Sequence, residues 1–151
     1  MQKNSFVHHL TKVLIDIMFY GGIVCCIAVP FALPPMAAIF SRYAPDIVKP
    51  YTVILLLSGV CALYMVWQMK VIFKTMSGGN PFIPENVTCL RKCCVSSFLI
   101  AIIYLIKICF WFTIASSIIV IIFALLGLFS LTLKDLFKQA IAYKEENDWT
   151  V

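Results

Sequence analysis

The sequence predicts an all-α integral membrane protein: a four-helix bundle with both termini cytoplasmic and the fourth helix prolonged as an amphipathic cytoplasmic extension. Three observations lead there. Hydrophobic residues make up 62% of the chain and charged residues 13%, too thin a charged shell for a soluble core of this size. The charges stand in short blocks separated by apolar runs, and those runs reach the about 20 residues a helix needs to cross a bilayer. Basic residues also gather on alternate loops. Lys3 and Lys12, then Lys70, Lys74, Arg91 and Lys92, then Lys134, Lys138 and Lys144 fall on one side, against Arg42, Lys49 and Lys107 on the other. The side richer in lysine and arginine is expected to be cytoplasmic.

The first span is expected at about 13–33. Asp16 is its one acid, and Pro34 and Pro35 are expected to break or kink it near the far interface. Its length and Asp16 fit a cleaved signal peptide poorly. The second span, at about 51–70, begins at Tyr51 and has Trp67 near its end, as interfacial aromatic belts favour. A cytoplasmic loop and helix start follow over 74–92, where Gly78, Gly79, Asn80, Pro81 and Pro84 signal a turn. From Cys93 to Leu133 the only charge is Lys107, which leaves room for spans at about 93–111 and 115–133 joined by a tight turn without glycine or proline. Lys107 is then close enough to the outer surface to snorkel. Beyond the last span, Leu133, Leu136, Phe137, Ala140 and Ile141 recur at helical spacing, so residues 134–151 are expected to be a helical tail. The whole chain, 1–151, reads as one membrane domain.

Several chemistries are disfavoured. The net charge of +5 flanks apolar spans instead of lining a soluble face with interleaved aromatics, so no direct nucleic-acid contact is expected. Cys25, Cys26 and Cys61 lie in apolar runs, where a thiol behaves as a small hydrophobe. Cys89, Cys93 and Cys94 sit beside Arg91 and Lys92, reduced if that loop is cytosolic and candidates for juxtamembrane palmitoylation. Their spacing lacks the second pair or the histidines of a zinc site. No C-x-x-C, H-E-x-x-H, G-x-S-x-G or phosphate-cradling glycine loop occurs, so neither catalysis nor a metal or other cofactor is expected. His8 and His9 read as interfacial.

Two sets of residues remain as candidates. In "NPFIPENV", residues 80–87, Pro84 suits a first helical turn and Glu85 complements the helix dipole. Phe82 and Glu85 could equally belong to a cytosolic docking surface. The chain closes on "KEENDWTV", where Lys144, Glu145, Glu146, Asn147 and Asp148 end the helical tail. Acids there oppose the helix dipole and need compensation, which Arg91 or Lys92 could provide. Together Asn80, Pro81, Phe82, Glu85, Asn86, Arg91, Lys92 and residues 144–148 form the candidate partner-binding set. Asp16, Gln68 and Lys107 form an intramembrane polar set. For Asp16 three roles stand open: structural pairing or interfacial hydration, with Lys12 four residues away; a hydrogen bond to Gln68; or a proton or ligand site. Gly21, Gly22, Ser58 and Ala62 permit close helix packing.

"NPF" followed by "EN", a basic "LRK" leading into a span, and the closing "KEEND" with a short hydrophobic end resemble the bacterial membrane proteins of domain-of-unknown-function family 2975. The resemblance covers most of the chain, although Trp149 stands where an aliphatic residue is expected. It implies no catalytic residues. Members are often encoded beside a small Cro/cI-type helix-turn-helix regulator, which implies a sensor or anchor in the bacterial cytoplasmic membrane that binds such a regulator. A small transporter, channel or antimicrobial-peptide immunity protein is the alternative, for which Asp16, Gln68 and Lys107 are few polar groups. The lipid bilayer is a partner on either reading, and a homo-oligomer stays open.

Overall fold

A computed structural model describes the backbone of residues 3–40, 45–79 and 81–148, and the side chains of 7–35, 48–79 and 81–147. Four helices account for nearly all of it: α1 (Lys3–Phe40), α2 (Pro45–Ser77), α3 (Pro84–Phe110) and α4 (Ile114–Asp148). Each is long and apolar enough to cross a membrane, so the chain is a multi-pass membrane protein. Asn80, Arg42 and Trp149 lie outside the described residues, as does the side chain of Asp148.

The turns follow from local chemistry. Gly79 ends α2 at φ 88°, a left-handed conformation that glycine adopts without a Cβ penalty. The Gly78 N–H meets the carbonyls of Lys74 and Thr75, and the Gly79 N–H meets that of Met76, which satisfies the last turn of α2. Ile83, held extended at φ −127° and ψ 149° before Pro84, opens α3, as expected of a residue preceding proline. The α3–α4 turn is only Trp111–Thr113. Trp111 N–H bonds to Lys107 O, while the N–H groups of Ser116 and Ser117 bond to Thr113 O. A connection this short makes α3 and α4 antiparallel neighbours.

α1 is not broken at Pro34 and Pro35, a break being one of the two outcomes expected from the sequence: Pro30, Pro34 and Pro35 all lie inside a helix that continues to Phe40. Each proline removes one N–H from the ladder. Unwinding the segment in an apolar medium would instead orphan several amides and carbonyls, which is more unfavourable.

The packing runs in chain order: α1 lies against α2, α2 against α3, and α3 against α4, with no other pair in close backbone approach among the described residues. Between all four remains an apolar cavity of about 270 Å³, with Cys26 and Val29 of α1, Gly59 of α2, Tyr104 of α3 and Phe123 of α4 on its walls. α3 holds most of the buried residues. Asn86, Leu90, Cys93, Ser97, Ile100, Tyr104 and Lys107 are all buried, and they follow alternating steps of four and three, the spacing that keeps one helix face on its neighbours. Cys93 Sγ donates to Met65 O at 3.8 Å, and Ser97 Oγ, bonded to Cys93 O at 2.9 Å, lies 3.2 Å from Met65 Sδ. Cys89, Cys93 and Cys94 are thus enclosed in the bundle instead of standing free for acylation. The inward face of α3 extends through them. Cys25, by contrast, is exposed on peripheral α1.

Small residues set the helix separations. A Cβ on Gly22 would lie 2.8 Å from Leu63 Cδ2, and one on Gly59 would lie 2.8 Å from Cys26 Sγ, whereas Gly21 has nothing within 4 Å. Gly127 of α4 faces the Phe98 ring, where an added Cβ would stand 3.0 Å from two ring carbons. Gly127→Leu is therefore expected to lower the stability of the purified protein by about 1–3 kcal/mol through overpacking. Gly21→Ala should leave the thermal melt in detergent essentially unchanged, and equal melts for both variants would refute this account of the α3–α4 contact.

Candidate functional site

The α2–α3 corner is held by one buried side chain. Asn86 is 0% exposed; its Nδ2 donates to Pro81 O at 2.7 Å, and its Oδ1 accepts from Thr75 Oγ1 at 2.7 Å. Thr75 Oγ1 also lies 2.7 Å from the Ile72 carbonyl, so its single proton serves two acceptors. These bonds tie the stretch after Gly79 to the last turns of α2. Phe82 then meets Phe137 of α4, ring centroids 5.3 Å apart and the planes tilted by 53°, while remaining 42% exposed. Elements α2, α3 and α4 thus converge on the residues 81–86.

Around this corner the candidate residues divide. Glu85, Arg91 and Lys92 are exposed, as are Lys144, Glu145, Glu146 and Asn147 at the end of α4. Asn86 is interior, a positioning residue and not a contact surface. Among the described residues no ion pair joins Arg91 or Lys92 to an acid, and the side chain of Asp148 lies outside them. Arg91 and Lys92 lie near the start of α3, whereas Glu145 and Glu146 lie two turns beyond Phe137, the α4 residue that meets the corner. Thr75 was not visible as a site residue in the sequence. The only available signal was a hydroxyl near a helix end ahead of a glycine turn.

The intramembrane polar set separates as well. Asp16 Oδ1 lies 2.6 Å from Lys70 Nζ, and that ammonium also sits 5.4 Å from the ring centroids of both Phe19 and Tyr20. The hydrogen bond to Gln68 does not form, and Gln68 is buried elsewhere on α2. Lys70 is two residues further along, about 200° around the helix, and it brings a full opposite charge that an amide cannot match. Lys12 lines a cavity between α1 and α2 together with Asp16 and Lys70, but the Asp16 ion pair is with Lys70.

Lys107 occupies the opposite end of the bundle and does not snorkel. It is 3% exposed, donates to Ser116 Oγ, and holds its ammonium 4.7 Å from the Tyr51 ring centroid and 5.9 Å from that of Tyr104. Two aromatic faces and a hydroxyl replace water around the charge. The four-helix cavity is lined mostly by apolar side chains, with Ser58 and Tyr104 as its hydroxyl-bearing residues, and neither Lys107, Asp16 nor Lys70 lines it. No group of three or more histidine, cysteine or acidic residues suited to a metal ion occurs among the described residues.

A family model described as "Protein of unknown function (DUF2975)" matches residues 11–151. No curated protein and no solved structure matches the chain.

Proposed function

This chain belongs to the DUF2975 family, and on that premise we propose that it is a non-enzymatic membrane sensor or anchor whose cytoplasmic face binds a small helix-turn-helix transcription regulator. The observation that carries the proposal is the corner built by Asn86 and the Phe82–Phe137 contact. A loop needed only to connect two helices would not require a buried asparagine to fix it or an aromatic contact to a third helix. This one presents a half-exposed Phe82 beside exposed Glu85, with Arg91 and Lys92 exposed about two turns further along α3, an aromatic anchor with charges towards its rim, as protein interfaces favour. The distribution of lysine and arginine supports a cytoplasmic position for this face. A relative shift of α2 and α3 moves Asn86 and with it Phe82, so the partner reads a state of the bundle only if it binds the two positions unequally.

The test is recovery of cytosolic proteins on membranes carrying the full chain. A helix-turn-helix regulator is expected to be enriched on the wild type at low salt. Recovery should fall for Phe82→Ala and Arg91→Glu/Lys92→Glu, and for the amide set Glu145→Gln, Glu146→Gln, Asp148→Asn, with a weaker salt dependence in the last. Equal recovery across all variants at low and high salt would overturn the proposal.

A further inference from the structure

Between α1 and α2, at the end of the bundle that carries the α2–α3 corner, lies a cavity of about 230 Å³ lined by Lys12, Asp16, Lys70, Lys74 and Ser77, with Ile15 and Phe73 as its apolar part. Its charge is unbalanced. Asp16 neutralises Lys70, while Lys12 and Lys74 are exposed and have no acidic partner among the described residues. One turn or two further along the same helices, Tyr20 is 62% exposed and Trp67 56% exposed, with Phe19 edge-on to Trp67 at 6.1 Å. Exposed tyrosine and tryptophan settle at the headgroup level of a bilayer, which puts the lysines in reach of lipid phosphates. Next to the cavity Val13, Leu14 and Ile17 face outward from α1, an apolar track for acyl chains.

We infer that this cavity binds the headgroup of an anionic phospholipid. Lys12 and Lys74, one from each helix, meet the phosphate oxygens, and Lys70 stays with Asp16. Basic pockets between transmembrane helices suit anionic headgroups because each lysine gains both attraction to the charged lipid and relief from the other lysine's repulsion. Asp16 then has a definite role. It keeps Lys70 from adding a third cation, so that one phosphodiester, with its single negative charge, brings the Lys12 and Lys74 pair from +2 to +1.

Native mass spectrometry of the detergent-purified full chain tests this with dioleoylphosphatidylglycerol, dioleoylphosphatidylcholine and inorganic phosphate as probes. Phosphatidylglycerol is expected to be retained over phosphatidylcholine, and Lys12→Gln/Lys74→Gln should weaken its retention about tenfold or more. Asp16→Asn should strengthen it by releasing Lys70. Lys49→Gln, at an exposed lysine on the other end of α2, should change nothing. Equal retention of the two lipids, an unaffected Lys12/Lys74 double variant, or an equal loss in Lys49→Gln would overturn the inference. So would full displacement by millimolar inorganic phosphate, which would mark an anion site indifferent to lipid. None of these readouts depends on a bound regulator, so the lipid site and the proposed function can fail separately.

Discussion

Asn86→Ala is expected to lower the unfolding free energy of the detergent-solubilised protein by about 3 kcal/mol, because it removes two hydrogen bonds at a site with no access to water. The Pro81 carbonyl loses its donor outright, while Thr75 retains the Ile72 carbonyl as an acceptor. Asn86→Asp discriminates the mechanism. It keeps the acceptor for Thr75 but sets a carboxylate oxygen against the Pro81 carbonyl, so it should be at least as damaging as alanine despite its matching shape. Thermal melts of the three proteins, with limited proteolysis across residues 78–83, report on both levels. Cleavage should rise in both variants while helix content by circular dichroism stays constant below the transition. A melt of Asn86→Asp equal to the wild type would show that the donor to Pro81 is unimportant.

The second large effect is expected at Lys107, and it takes the form of a double-mutant cycle. Ser116→Ala alone removes the hydroxyl partner of a buried ammonium and should destabilise by about 2 kcal/mol, the range for hydrogen bonds to charged groups. Lys107→Met keeps much of the side-chain length and eliminates the charge, so it should be near neutral or stabilising, as replacements of buried ions by apolar residues often are. In the Lys107→Met background, Ser116→Ala should then have almost no effect. Detergent melts of the four proteins give the coupling energy. Full additivity would mean that Ser116 supports the α3–α4 turn independently of the lysine.

The four apolar helices are legible in the sequence because length and apolar character alone decide whether a segment can cross a bilayer, and charge blocks punctuate them. What each polar residue meets is less legible. Asp16 could reach Gln68 or Lys70 by depth alone, and the choice rests on helix rotation, which an almost uniformly apolar sequence does not encode in its periodicity. The seam from Asn86 to Lys107 is present as spacing, yet its members include serine, cysteine and tyrosine, which stand out weakly among isoleucine and leucine on both sides. That the prolines of α1 do not break it has a related reason. Their breaking tendency is measured against water, which is available to solvate an interrupted backbone, and hydrocarbon is not. At the α2–α3 corner, Gly79 and Pro84 announce the turn through their own backbone preferences. That Asn86 is interior depends on Thr75, eleven residues earlier and on another helix.

The chain-order packing of the helices has a consequence for how the molecule comes to exist. Because each helix approaches only its immediate neighbours in sequence among the described residues, each helix–helix interface joins two consecutive helices. Closing each interface requires only that two consecutive helices meet, so no long loop has to be ordered before contacts compensate for it. This arrangement also suits a chain emitted from its N-terminus by the ribosome at about 5–20 residues per second. α1 has its one partner as soon as α2 enters the bilayer, and α3 and then α4 each arrive beside a neighbour already inserted. The order of synthesis is thereby also the order of assembly.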